Sequence, residues 1–294
     1  MPLRPLRSVA ALAASAVVLS ACGGTSAEMS TPGSQTAPPA TISPPASSTA
    51  VGAMPVHRGR QHRRYPPARQ PVPILMFHDV ATAPASAAYP ELYTPPRVFR
   101  AQLLALRRHG YHPITLGRLY SAQRGRSRLP AHPIVLSFDD GFRGVATAAL
   151  PALRRYHWPG VLFLLVRHLD QPGRWAMTSS QVRRLLRAGW ELDAHGYTEV
   201  DLTALSARKV WHVVHGSRQA LRRGFHVPVS FYCYPVGLYD RSVERLVRRA
   251  GYLGAVTTRD GYAGAGNPFA LPRIRVDGGE PPAELISSLR SAKP

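Results

Sequence analysis

From Val72 to Val276 the chain alternates short apolar runs with stretches whose apolar residues recur every three or four positions. The runs at 72–77, 133–138, 161–166, 190–194, 229–234 and 254–257, with a late one near 271–276, predict strands. Ile134-Val135-Leu136 is unbroken rather than alternating, which predicts a strand covered on both faces, as in a parallel sheet flanked by helices. The stretches 97–109, 142–157, 179–188, 206–223 and 240–250 predict amphipathic helices. In the last of these, Val243, Leu246 and Val247 share a stripe and Asp240 stands at the N-cap position. Thr178 and Gln181 have capping-box spacing ahead of Val182, Leu185 and Leu186. Strand-helix-strand repetition predicts an α/β fold with right-handed crossovers, an open parallel sheet or a closed or distorted barrel. In such folds functional groups gather at the carboxyl ends of the strands.

The first seventy residues lack this pattern. Arg4 and Arg7 precede an apolar run from Val9 to Val18, too short to span a bilayer as a mature helix and arranged like a secretory signal. Leu19-Ser20-Ala21-Cys22 resembles the lipobox of bacterial lipoproteins, which implies a signal peptide over 1–21, lipidation of Cys22 and a membrane-anchored, exported chain. Residues 22–70 read as a disordered tether: Thr, Ser, Ala and Pro dominate first, then His57, Arg58, Arg60, His62, Arg63, Arg64 and Arg69 form a basic cluster suited to anionic headgroups or wall polymer. The folded domain is expected over 71–290.

Lys and Arg number 37 against 16 Asp and Glu, a net charge of +21. Export, and arginines scattered over helices rather than interleaved with aromatics, argue against nucleic acid as the partner. With Cys22 lipidated, Cys233 is the one remaining thiol and no internal disulfide forms, so the core must hold the domain. Cys233 lies in an apolar stretch without a local histidine and reads as a small buried residue rather than a nucleophile.

The candidate chemistry begins where the run Pro133 to Phe138 ends in Asp139-Asp140-Gly141. Adjacent carboxylates raise each other's proton affinity unless a cation or donors hold them, so the pair reads either as a metal ligand beside a general base or as a turn capping the next helix. Three other strand ends are polar: Phe77 leads into His78-Asp79, Ala194 into His195, and Cys233-Tyr234 into Pro235-Val236-Gly237. Convergence of such groups on one rim favours a site.

The segments LMFHDV, SFDDG, MTSSQVRRLLRAGWEL, HGYTEVDL and YPVG, in that order, resemble the polysaccharide deacetylases of the NodB-homology type, the family-four carbohydrate esterases. The resemblance implies a distorted (β/α) barrel and a metal-dependent hydrolase removing N-acetyl groups from N-acetylglucosamine polymers such as peptidoglycan, chitin or poly-N-acetylglucosamine. It implies Asp139 as general base, and Asp140 and His195 as ligands of a divalent cation, zinc first and manganese, iron or cobalt after it. His78 is the candidate general acid, with Asp79 beside it. The backbone N–H of Val236 is the candidate oxyanion donor, with Tyr234 adjoining the substrate. The chain departs from the family at Glu199, where a second histidine is usual; glutamate makes the donor set harder and more anionic. Cys233 stands where many members carry an arginine near the base. The alternative is a glycan-binding lipoprotein of the same fold with a degraded metal site.

Overall fold

A computed structural model describes residues 64–292 apart from Pro172 and Arg174; the signal, Cys22 and the tether through Arg63 lie outside the described residues. In chain order the elements are β1 (Val72–Phe77), α1 (Pro96–Arg108), β2 (His112–Pro113), α2 (Leu116–Gln123), β3 (Pro133–Phe138), α3 (Leu150–Arg154), β4 (Val161–Leu164), α4 (Ser179–Arg187) and β5 (Glu191–Ala194). They continue with α5 (Ala207–Phe225), β6 (Phe231–Cys233), α6 (Arg241–Arg249), β7 (Gly254–Val256), β8 (Tyr262–Ala263), β9 (Ile274–Arg275) and α7 (Pro282–Ser291). Among the described residues no helix is long and apolar enough to cross a membrane.

The strands pair in the order β7-β6-β5-β4-β3-β1, all parallel, with β8 antiparallel on β1 and β2 against the start of β3. The two free edges, β7 and β1, are linked by one extended segment. Leu271 bridges to Val256 in parallel, and three residues later Ile274 pairs with Leu75. The Leu271 N–H donates to Ala255 O at 2.9 Å and the Val276 N–H to Met76 O at 3.1 Å. The curled sheet thereby becomes the distorted (β/α) barrel that the alternation implied.

Side-chain parity divides the core in two. Ile74, Val135, Phe163, Phe231, Cys233 and Val256 fill the barrel interior. Their strand neighbours Leu75, Phe77, Leu136, Phe138, Leu162 and Leu192 pack under the helices. Both faces are buried, which is why the strand sequences show no polar alternation. Phe77 lies 5.3 Å edge-on to Phe99 of α1 and 5.4 Å from Phe138, tying the first helix to the two central strands.

Two helices escaped the sequence pattern, α2 and α7. α2 has few apolar positions, and α7 is rich in Ser and opens on Pro281-Pro282. The expected helix over 142–157 begins later, as a π-helical turn at Val145–Ala149 running into α3. The boundary placed at residue 70 moves back: the Tyr65 N–H donates to Gly125 O at 2.8 Å and the Ala68 N–H to Ala122 O at 2.9 Å, so 65–70 belong to the fold.

Both predicted caps form. The Asp240 carboxylate accepts from the N–H groups of Ser242 and Val243, each at 2.8 Å, and Thr178 and Gln181 make a reciprocal capping box. Asp240→Ala is expected to lower the unfolding free energy by about 1 kcal/mol in urea titration, and Asp240→Asn by only a fraction of that.

Candidate active site

The parity that builds the core also selects which polar groups meet. In β3, Val135, Ser137 and Asp139 face the barrel interior; in β1, Ile74, Met76 and His78 do so. Parallel register places Phe77 beside Phe138, so His78 and Asp139 leave neighbouring strands side by side. From β5 the inward residues are Glu191, Asp193 and His195, and from β6 Phe231 and Cys233. All of these strands deliver their last inward residue to the same mouth.

After Asp139 the chain turns sharply. Asp140 takes φ 71° and Gly141 φ 89°, and the Gly141 N–H donates to Asp139 O at 2.9 Å. A Cβ on Gly141 would lie 2.2 Å from Leu164 Cδ1, so only glycine fits this turn. The turn swings Asp140 over the mouth, where its Oδ1 lies 3.4 Å from His195 Nε2. Glu199 Oε2 lies 3.4 Å from the same nitrogen. Asp140, His195 and Glu199 each offer one donor atom, all within 4.8 Å of one another. His195 Nδ1 is 2.9 Å from Cys233 O; a carbonyl only accepts, so Nδ1 carries a proton, and in the neutral ring Nε2 is the lone-pair donor. One nitrogen and two carboxylates on a common point fit a divalent cation.

A second set, Asp139, His195 and Cys233, has equal compactness, but its donors are already engaged. Arg273 Nη1 and Nη2 donate to Asp139 Oδ1 and Oδ2, both at 2.8 Å, and Nη2 lies 3.3 Å from Cys233 Sγ. A guanidinium spanning two of the three ligands repels a cation there, so the Asp140 set is the metal candidate.

Arg273 is the residue that sequence reasoning missed. It is 1% exposed, on the segment that closes the barrel, and also donates to Ser137 Oγ at 3.2 Å and Thr257 O at 3.0 Å. Cys233 occupies the place of an arginine near the base, and the structure supplies that arginine from another element. Inward parity at 273 within the apolar run 271–276 was the available signal. Burial favours the neutral acid at Asp139, but the Arg273 guanidinium outweighs it and holds the carboxyl down at about 2. At Asp140 burial is likewise outweighed, here by His195 and then His78, and its acidity is increased. Burial lowers the pKa of His78 against the opposing pull of Asp140 and Asp139.

Two expectations are corrected. The Tyr234 side chain faces away from the mouth: it is buried, donates to Phe269 O at 3.0 Å and stacks on Tyr239 at 4.3 Å. Asp79 also has outward parity. Its carboxyl is buried against Gly144, Oδ1 lacks a hydrogen-bond partner among the described residues, and burial raises its pKa to about 6. Cys233 is buried as expected, with Sγ 4.0 Å from His195 Nε2 and 3.6 Å from Asp139 Oδ2. The Val236 N–H points to the mouth as expected, but it donates to Glu199 Oε1. Val236 itself sits at φ 50°, ψ 7°, a left-handed conformation that a β-branched residue rarely takes.

Residues 126–255 match the profile of a protein family described as polysaccharide deacetylase. A Bacillus subtilis protein assigned as a polysaccharide deacetylase, YxkH, is 25% identical over 210 residues, 71% of this chain and 72% of its own. The poly-β-1,6-N-acetyl-D-glucosamine N-deacetylase of Escherichia coli O157:H7 is 31% identical over 117 residues, 38% of this chain but 17% of that longer protein. The Streptococcus pyogenes deacetylase PplD, solved in complex with acetate, shares the fold with a TM-score of 0.70 and 24% identity, over 77% of this chain and 100% of that one.

Removing Arg273 leaves Asp139 buried and uncompensated. Arg273→Met is expected to cost about 3–5 kcal/mol in urea unfolding at neutral pH, and adding Asp139→Asn to recover much of it. Asp139 is more acidic folded than its ordinary 3.8, so its share of stability is complete above about pH 4 and is lost as pH falls towards 2. Acid unfolding of Asp139→Asn should lack that limb.

Proposed function

Through residues 126–255 the chain belongs to the polysaccharide deacetylase family, and we propose that it is a metal-dependent hydrolase removing N-acetyl groups from N-acetylglucosamine-containing polysaccharide of the cell envelope. The observation that carries this reading is the convergence of Asp140, His195 and Glu199 beside two further inward groups, Asp139 and His78. A divalent cation held by the first three, zinc or alternatively manganese, iron or cobalt, would supply Lewis acidity for an amide carbonyl and lower the pKa of a bound water. The named substrate of the Escherichia coli relative supports an amino-sugar polymer. The leader pattern and Cys22 support an exported protein, lipid-anchored on the outer face of the cytoplasmic membrane.

Asp139 is the base in this reading. The Arg273 clamp keeps it ionised and fixes its plane; Oδ2 also accepts from Cys233 Sγ, while Oδ1 accepts from Arg273 and keeps a second lone pair for a proton. A carboxyl near 2 takes protons poorly from ordinary water, so its use as a base requires an acidified one. His78, on the adjacent strand, delivers the proton to the leaving amine. Burial makes its protonated form a stronger acid, which favours that transfer. Substrate oxygen is left to compete with Glu199 for the Val236 N–H, so Glu199 serves both the cation and the turn opposite it.

The full chain is to be assayed for bound metal by mass spectrometry and for acetate release from chito- and poly-β-1,6-linked N-acetylglucosamine oligomers. Asp139→Asn is expected to keep its metal and lose about 10²–10⁴-fold in turnover, and Asp140→Ala to lose both. Normal turnover in Asp139→Asn would remove the base assignment. A wild type free of metal and inactive, with both restored by Glu199→His, would establish the glycan-binding reading instead.

Glu199→Gln separates the two duties of that side chain. Its amide oxygen still accepts from Val236 while its NH₂ faces the cation, so the melting temperature should hold within a few degrees while metal affinity falls at least tenfold by titration calorimetry. A fall in melting temperature without loss of metal would reverse the assignment.

A further inference from the structure

Each crossover helix runs antiparallel to the strands, so its C-terminus arrives at the amino ends of the strands, opposite the candidate active site. Six of the seven helices carry arginine in the last turn, ending in Arg108, Arg154, Arg187, Arg223, Arg249 and Arg290, all exposed. The seventh, α2, leads into a loop with exposed Arg124, Arg126 and Arg128. That loop enters β3 at its amino end. With Arg118, Ser121 and Ser127 it lines an open depression of about 530 Å³.

Carboxylates are scarce at this pole. No Asp or Glu occurs from Tyr93 to Phe138. Glu191, at the start of β5, is turned inward and accepts the Gly117 N–H at 3.0 Å, and Asp193 is fully buried. No described carboxylate pairs with Arg118, Arg124, Arg126 or Arg128. The acids stand at the other end, as Asp139, Asp140, Glu199 and Asp201. The chain also enters the domain here, since Tyr65 and Ala68 bond to Gly125 and Ala122, directly after Arg58, Arg60, Arg63 and Arg64 in sequence.

We propose that the arginine-ringed amino pole of the barrel is a seat for an anionic phospholipid surface, which holds the domain with its acidic mouth turned outward. Charge complementarity supports it: a multivalent guanidinium face gains from phosphate headgroups in proportion to the arginines within a Debye length. The entry of the chain at the same pole supports it too, because the arginines at 58, 60, 63 and 64 directly precede Tyr65 in sequence. The proposal is independent of the chemistry at the mouth.

The test uses the full chain in a Cys22→Ser background, since Cys233 is buried and spared by thiol labels. A bimane probe is placed at Ala131→Cys on the basic pole or at Ser180→Cys beside the mouth, both exposed positions. Vesicles of phosphatidylcholine, with or without one third phosphatidylglycerol, carry a headgroup nitroxide quencher. Quenching is expected at 131 and not at 180, in the phosphatidylglycerol vesicles alone. It should weaken at least tenfold in affinity when Arg124, Arg126, Arg128 and Arg154 are all replaced by Gln, with the circular-dichroism melt retained. Equal quenching at the two positions, quenching at 131 in neutral vesicles, or its persistence in the fourfold variant would overturn the proposal. Full displacement by a soluble glycerol-phosphate polymer at matched charge would do so as well, assigning the face to wall polymer.

Discussion

The Asp139–Arg273 pair joins the folding problem to the chemical one. Two neighbouring carboxylates at a barrel mouth would drive one of them to protonate, and the first would then be useless as a base. Arg273 prevents this, yet it cannot be buried alone, since an unpaired guanidinium in the interior is far more costly than any packing it provides. Its donors are accounted for by Asp139, Ser137 Oγ, Thr257 O and the Cys233 sulfur, groups drawn from two strands, β3 and β6, and the turn after β7. The segment bearing it is the one that links β7 to β1. Closing the sheet and ionising Asp139 are therefore one event. A slip of one residue would put Ile274 against Asp139 and turn Arg273 under the helices, so the pair also fixes the register of closure.

The same parity explains what could be read from sequence and what could not. Strand positions were legible because apolar runs such as 133–138 are bounded by turns, and Asp139, Asp140 and His195 followed from strand ends converging in this fold class. Tyr234 and Asp79 were misplaced because a motif marks a stretch of chain, whereas alternation decides which of its members point inward. Counting by twos from Phe231 assigns Cys233 to the interior and Tyr234 to the helix layer; from Ile74 it assigns His78 inward and Asp79 outward. Arg273 was missed for a different reason. Its partner lies 134 residues away and the closing segment has only a two-residue strand, so inward parity within the run 271–276 was its one mark in the sequence. α2 and α7 were missed because each buries a stripe of three residues, Leu116, Leu119 and Ala122 in one and Leu285, Ile286 and Leu289 in the other, too short to stand out from the Gly, Ser and Pro around it.

Glu199 illustrates how one substitution redistributes work within a site. A histidine at that position would present one nitrogen and leave the Val236 N–H open. A carboxylate has two oxygens: one is aimed at the shared point with Asp140 and His195, while the other satisfies Val236. That second bond holds a valine in a left-handed turn that would otherwise cost about 1–3 kcal/mol. The donor set is thus more anionic than two histidines with one aspartate, and the turn opposite is more rigid. Both effects act on the ground state. Anionic donors retain a cation while moderating its Lewis acidity, and an occupied N–H must be released before it can stabilise developing charge. Glutamate here favours keeping a site assembled over running it fast.

Charge is distributed along the barrel axis by topology before any partner is considered. Crossover helices place all their carbonyl ends at one pole, where arginine complements the macrodipole, and this alone stabilises each helix by a few tenths to about 1 kcal/mol. Helix electrostatics account for Arg108, Arg154 or Arg249, and for Arg124 as the C-cap of α2, but less for Arg126 and Arg128, which lie in the loop beyond it. Nor do they account for the stretch without carboxylates from Tyr93 to Phe138, since surface acids at helix starts would stabilise equally. α1 and α2 open without any acidic residue in the first turn, so the imbalance exceeds what the helices ask for. Self-repulsion among the loop arginines is offset in part within the domain, where Arg124 lies over the Tyr120 ring at 4.2 Å and Arg128 over the Tyr65 ring at 4.9 Å. An external polyanion at that pole would offset the rest.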